Sequence, residues 1–168
     1  MYDELTEVDI KKMQEEIDHR VRVLRPQLIE EVQITRAFGD LSENFEYKCA
    51  KQAKNRNESR IRYLERMIRT AKVIEVKEGR EDTVGLFDKV TIFNEMVKKE
   101  MEIQIVTTLR QDALKGLISK ESPVGQALMG CKVGDRVQVE VNPQLKYFVE
   151  IRAIEKGEDD ESLEISAY

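Results

Sequence analysis

Asp40 and Glu43 stand three residues apart in the stretch Gly39-Asp40-Leu41-Ser42-Glu43-Asn44. Paired carboxylates can bind a hard cation through oxygen, orient a water or take its proton. Two acids do not complete a Mg²⁺ shell, because that ion keeps most of its water and leans on substrate phosphates. They could complete a site in another molecule that already supplies part of the shell. One carboxylate would then help fix a second metal, and the other would orient or deprotonate a water. The same residues also suit a plain helix reversal. Gly39 takes the conformation that ends a helix cheaply. Asp40 to Glu43 matches a capping box, with Asp40 as N-cap and Glu43 reaching back, and Ser42 is an alternative N-cap. Acids at a helix start also offset the macrodipole.

The flanking segments must position this turn. Before it, apolar residues fall at Ile10, Met13, Ile17, Val21, Leu24, Leu28 and Val32, followed by Thr35, at steps of three and four. That is one helix face, nearer to an eleven-residue repeat than to strict heptads. Pro26 lies inside the run and predicts a kink. After the turn, Tyr47, Ala50, Lys54, Asn57, Ile61, Leu64, Ile68 and Ala71 form a second face. Lys54 and Asn57 put polar groups on its upper half, so the seam should be firm at the base and weak near the tip. Two helices of about 30 residues make an antiparallel coiled-coil hairpin roughly 45 Å long with the acids at its end. Phe38 and Phe45 are expected to pack the reversal, and Tyr47 to cap the seam.

The period changes after Glu78-Gly79-Arg80-Glu81-Asp82. Val90/Ile92, Met101/Ile103/Ile105, Val137/Val139/Val141 and Tyr147/Val149/Ile151 alternate as half-buried strands do. Lys132 to Asp135 and Asn142-Pro143-Gln144 are turn signals. Ser122 as N-cap and Pro123 at the first helical position predict a short helix reaching Gly130. The class is therefore α+β, with a helical hairpin at residues 1–76, a linker at 77–82, a small antiparallel sheet domain with one short helix at 83–156, and an acidic tail at 157–168. The tail is expected to be mobile, with Leu163 and Ile165 able to add a late strand.

Charge and cysteine content narrow the function. A net charge of -5 rules out a generic nucleic-acid binder. Residues 1–76 balance 15 cations with 15 acids, while residues 77–168 carry 13 cations and 18 acids. Within the second helix, from Glu43 to Lys72, nine cations face four acids, a side suited to guiding a rod toward RNA phosphates or simply to solvation. Cys49 and Cys131 form no C-x-x-C pair, which argues against a zinc ribbon or disulfide framework and for a reducing cytoplasm. Both are expected to be buried small hydrophobes, and His19 a surface residue. No apolar run reaches the roughly 18 residues of a membrane span, and the acidic start does not read as a signal peptide.

The runs Phe38 to Tyr47, Leu64 to Ile74 and Ile118 to Gly130 together resemble the bacterial GreA/GreB transcript-cleavage factors, over nearly all of residues 10 to 154. The resemblance implies a coiled-coil hairpin joined to an FKBP-like domain. That domain would dock on RNA polymerase, with Ser122 and Pro123 as candidate contacts, and the hairpin would enter the secondary channel. Asp40 and Glu43 would then meet the polymerase's Mg²⁺ and stimulate hydrolysis of the backtracked RNA 3′ end. Gly39, Leu41, Ser42, Asn44 and Tyr47 would support the tip, and Arg36, Lys48, Lys51, Lys54 and Arg56 are candidate RNA contacts. The chain would act as a cytoplasmic monomer with no cofactor of its own, and not as an enzyme by itself. It departs from the family pattern at Ile105 to Asp112 and at Asn142-Pro143-Gln144, both away from the tip.

Two other readings compete. A non-cleaving channel regulator, in the manner of Gre-like inhibitors or DksA, is disfavoured by the intact acids and the absence of a zinc-type cysteine cluster. A prolyl isomerase would need an aromatic-lined pocket, for which the second half offers Phe87, Phe93, Tyr147 and Phe148.

Overall fold

The computed structural model describes residues 3–76 and 80–167. The chain divides into two compact units. Residues 10–71 belong to the first, and residues 4–9 join those from 72 onward in the second. The sequence boundaries put residues 4–9 with the hairpin, and the reason for their move is a strand. Glu4–Leu5 (β1) pairs in parallel with Lys72–Val73 (β2), at Glu4↔Lys72 and Leu5↔Val73. A two-residue strand has no period to read, so only the pairing reveals it. Of the expected linker, residues 77–79 lie outside the described residues.

Helix α1 (Glu7–His19) starts at a capping box. The Thr6 amide donates to Asp9 Oδ2 at 3.0 Å, and the Asp9 amide donates to Thr6 Oγ1 at 3.3 Å. Helix α2 (Arg25–Arg36) follows a single π-helical turn, Arg20–Leu24, closed by the Arg25 amide on Arg20 O. The expected disturbance at Pro26 therefore falls one turn earlier. Proline has no N–H to give and its ring crowds the carbonyl four residues back. A wider turn there accommodates both, and Pro26 becomes an early residue of a new helix.

Helix α3 (Phe45–Thr70) has 26 residues and so measures about 39 Å. It buries Ala50, Asn57, Arg60, Ile61, Leu64 and Met67, whereas α2 buries no residue fully. Apolar contact is thus concentrated away from the tip. Midway, the seam is polar and hydrogen-bonded across the two helices. Arg60 grips Glu16 through Nε at 2.8 Å and Nη2 at 3.1 Å, and Arg20 Nε donates to the same carboxylate at 2.7 Å. Arg20 Nη1 donates to Asn57 Oδ1, and Asn57 Nδ2 returns a bond to Arg20 O. Arg25 holds Glu58 with two bonds, at 2.7 and 2.9 Å.

The second unit carries a curled five-stranded sheet of order β5-β4-β3-β7-β6. Its strands are β3 (Lys89–Asn94), β4 (Lys99–Val106), β5 (Leu117–Ser119), β6 (Arg136–Asn142) and β7 (Leu145–Glu155). Three pairings are antiparallel, but β4 and β5 run parallel, so the sheet is mixed and not the purely antiparallel one expected. Most of the alternating residues face inward, but Met101 and Val141 are exposed. Val90, Ile92, Ile103, Ile105, Val139, Val149 and Ile151 form the core with Val84 and Leu128. Leu128 ends the short helix α4 (Pro123–Leu128), whose N-cap is the expected Ser122.

The acidic tail is anchored where mobility was expected. Gly157 starts it with its amide on Asp88 Oδ1, and a Cβ there would stand 2.0 Å from Phe87 O, so only glycine allows this approach. Arg110, fully buried, then gathers four partners: Asp9 at 2.6 Å, Asp159 at 2.6 Å, the Asp160 carbonyl at 3.1 Å and the Thr6 hydroxyl at 3.1 Å. The Ser166 amide and hydroxyl both donate to Leu109 O. No late strand forms at Leu163 or Ile165.

Two outcomes test these packings. Replacing Arg110 with Ala strands Asp9 in the interior, so the second unit should lose about 3–5 kcal/mol of stability in urea titration. For Glu16, burial pushes the carboxyl up, but its bonds to Arg60 and Arg20 outweigh this and hold it below the ordinary range. Its contribution is then complete above the ordinary glutamate pKa of about 4.3 and disappears as the pH falls through the lower folded value. Amide protection factors in α3 should fall over that window, and Glu16→Gln should remove that part of the pH dependence.

Candidate functional site

The turn between α2 and α3 is built by one amide side chain. Asn44 is the N-cap of α3, accepting the Tyr47 amide at 3.0 Å on Oδ1. Its Nδ2 donates to Thr35 O at 2.7 Å, in the last turn of α2. One side chain thus satisfies an orphan donor of α3 and adds a bond to a carbonyl of α2 that already accepts the Phe38 amide. This corrects the expected capping box. Neither Asp40 nor Ser42 caps the helix, and no hydrogen bond returns from the Glu43 side chain among the described residues. Asn caps as well as Asp does, and residues 41–43 form a turn of their own before the helix begins.

Gly39 sits at φ +137°, with no heavy atom within 4 Å of where a Cβ would stand. Backbone conformation alone requires glycine here. Asp40 follows, exposed, and closes an Asx turn: Oδ1 accepts the Ser42 amide and the Ser42 hydroxyl, both at 3.0 Å. The amide first, and the hydroxyl second, hold the Asp40 carboxyl below the usual aspartate range. Its Oδ2 and the exposed Glu43 carboxylate have no hydrogen-bond partner among the described residues. Lys48 Nζ reaches back to Ser42 O at 2.8 Å and braces the turn.

The remaining candidates divide. Arg36, Lys51 and Arg56 are exposed and Lys54 half-buried. Lys48 spends one of its three donors on the loop. Tyr47 is half-buried, while Leu41, Ser42 and Gly39 are exposed. Phe38 and Phe45 do not pack the reversal; they are 64% and 71% exposed. The Asn44 bridge closes the turn without an apolar plug, so neither ring is needed inside. Cys49 is exposed, because it lies one position off the buried Ala50, and only Cys131 is partly buried. Burial pushes the Cys131 thiol up.

In the second unit, Ser122 Oγ accepts the Gly125 amide at 3.0 Å and donates to Ser119 O at 2.7 Å, and Pro123 is exposed. Three of the four aromatic residues considered for an isomerase are paired with arginines. Phe87, Phe93 and Phe148 each lie beneath a guanidinium, of Arg110, Arg152 and Arg136 respectively. A cavity of about 620 Å³ beside Arg110 and Ser166 is lined by no aromatic side chain among the described residues. No helix among the described residues is long and apolar enough to cross a membrane.

A helical hairpin followed by a small sheet unit corresponds to the two-part plan of a family of transcription factors. Residues 4–73 match the family described as transcription elongation factor, N-terminal, and residues 79–156 match transcription elongation factor, GreA/GreB, C-term. Transcription elongation factor GreA of Thermoanaerobacter pseudethanolicus is 42% identical over 82% of this chain and 87% of its own length. That of Mesoplasma florum is 38% identical over 89% of this chain and 96% of its own. The crystal structure of GreA factor homolog 1 of Thermus thermophilus is 25% identical, covers 93% of this chain and 100% of its own, and gives a TM-score of 0.42, too loose a match to speak for the fold. The chain belongs to the GreA/GreB family of transcription elongation factors.

Asn44→Ala removes both ends of the bridge. The hairpin tip should lose about 1 kcal/mol or more, read as faster amide exchange at Tyr47 with no change in the sheet unit.

Proposed function

We propose that this protein stimulates RNA polymerase to cleave its own backtracked transcript, acting in trans from the polymerase's secondary channel. The observation that carries the reading is the state of the two acids. Asp40 Oδ2 and the whole Glu43 carboxylate face solvent at the end of a braced helical hairpin. A chain in the GreA/GreB family with such a tip has the means to lend oxygen ligands to a site in another molecule.

The donor set fits Mg²⁺, a hard ion that takes carboxylate oxygens. Asp40 and Glu43 would be its ligands from this chain, and the ion would supply Lewis acidity and an acidified water to phosphodiester hydrolysis. The Asx turn presents Asp40 ionised and leaves one of its oxygens free. Gly39 allows the chain to turn just before it. Glu43, with no internal partner, is positioned to orient a water or accept its proton. Asn44 and Lys48 hold the loop without consuming either acid. Two carboxylates fall short of a full shell, so the chemistry would belong to the polymerase and the factor would not cleave RNA alone. Ser122 and Pro123, on the second unit, remain the candidate docking residues.

Asp40→Asn and Glu43→Gln keep the shape and remove the charge. Each should leave the circular dichroism spectrum and polymerase affinity near wild type. Shortening of the RNA 3′ end in a stalled, backtracked complex should fall by about a hundredfold or more, as for a group acting chiefly in the transition state. Wild-type cleavage by both variants would reject the assignment. Tight polymerase binding by the unmodified protein with no RNA shortening would favour a non-cleaving channel regulator.

A further inference from the structure

The five phenylalanines of this chain fall into two groups. Phe87, Phe93 and Phe148 each lie under an arginine, with guanidinium-to-ring distances of 4.9, 4.3 and 3.8 Å. Phe38 and Phe45 have no such cover among the described residues and stand 64% and 71% exposed. Both belong to the tip. Phe45 follows Asn44 directly and Phe38 lies three residues beyond Thr35, and the Asn44–Thr35 hydrogen bond joins those two points. Two bare rings therefore flank the same short loop that presents Asp40 and Glu43.

The surroundings decide what could cover them. Arg36, Lys48 and Lys51 are exposed around the same loop, together with the acids. An apolar protein groove would have to desolvate these charges, and charged groups are depleted from the cores of protein interfaces. A single-stranded nucleotide makes the opposite demand. Its base stacks on an aromatic face and its phosphate sits near a cation, and both are present here. We propose that Phe38 and Phe45 form a stacking platform for unpaired bases of the RNA 3′ end, holding the strand while Asp40 and Glu43 address its backbone. This rests on the cleavage reading above and adds a substrate-positioning surface to it.

The test uses the full-length protein with backtracked elongation complexes carrying either ordinary RNA or RNA whose last two nucleotides are abasic. On ordinary RNA, Phe38→Ala and Phe45→Ala should each slow cleavage about five- to one-hundredfold, the range expected for losing one base stack. Phe45→Leu, still apolar but without a ring face, should lose as much, and Phe45→Trp should retain activity. On abasic RNA the wild type should drop to the level of the Phe38→Ala/Phe45→Ala double variant, and that double variant should fall no further. Affinity for polymerase lacking RNA should be unchanged throughout. If the losses persist on abasic RNA, or RNA-free polymerase is bound more weakly, the rings touch protein and the platform is refuted. If Asp40→Asn is inactive while all Phe variants cleave normally, the platform alone is wrong. If Asp40→Asn itself cleaves normally, the cleavage reading falls and takes the platform with it.

Discussion

A helix start leaves backbone amides without partners, and at this tip a neutral amide side chain caps one of them while tying α3 to α2. Asn44 accepts from the first turn of α3 and donates to the last turn of α2. Had Asp40 capped α3, one carboxylate would be consumed by backbone N–H groups and drawn toward the helix. Because Asn44 does that work, Asp40 needs only one oxygen for its own turn and Glu43 needs none. The availability of both acids follows from the chemistry of a third residue.

The hairpin behind the tip depends on a different device. Its seam is apolar around Ile61, Leu64 and Met67, but Arg60 and Asn57 are buried as well. A slip in register would keep much of the apolar contact while separating Arg60 from Glu16 and Asn57 from Arg20. Leaving buried polar groups without partners costs several kcal/mol. The polar cluster thus selects one register where aliphatic contacts would tolerate several, and register sets how far the tip extends beyond the seam. The π-turn at Arg20–Leu24 serves the same end, since it lets the helix pass Pro26 while Arg20 at its start and Arg25 just after it still reach α3.

In the second unit, Arg110 ties distant segments of the chain to one point. Asp9 comes from the start of α1 and Asp159 from the tail, and the guanidinium also lies over the Phe87 ring. An isolated buried guanidinium would be prohibitive, and two carboxylates with a carbonyl make it tolerable. The acidic composition of the tail, which reads as a solvated run, is therefore partly the counter-charge of a buried cation.

Periodicity was enough to read the two long helices, the four alternating strands and the Ser122-Pro123 helix start, because each rests on local patterning against water. The acids at the reversal were also legible, from Gly39 and the break in period. Tertiary structure alone decided which residue caps α3, since Asp40, Ser42 and Asn44 are all competent caps and the choice depends on the Thr35 carbonyl across the turn. It also decided that Phe38 and Phe45 stay in solvent, that Cys49 faces outward, and that Glu4–Leu5 and the tail join the sheet unit. Those outcomes depend on partners up to a hundred residues away, as with Asp9 and Arg110. Neighbouring residues carry no trace of such a partner, whereas helix and strand periods are written entirely in them.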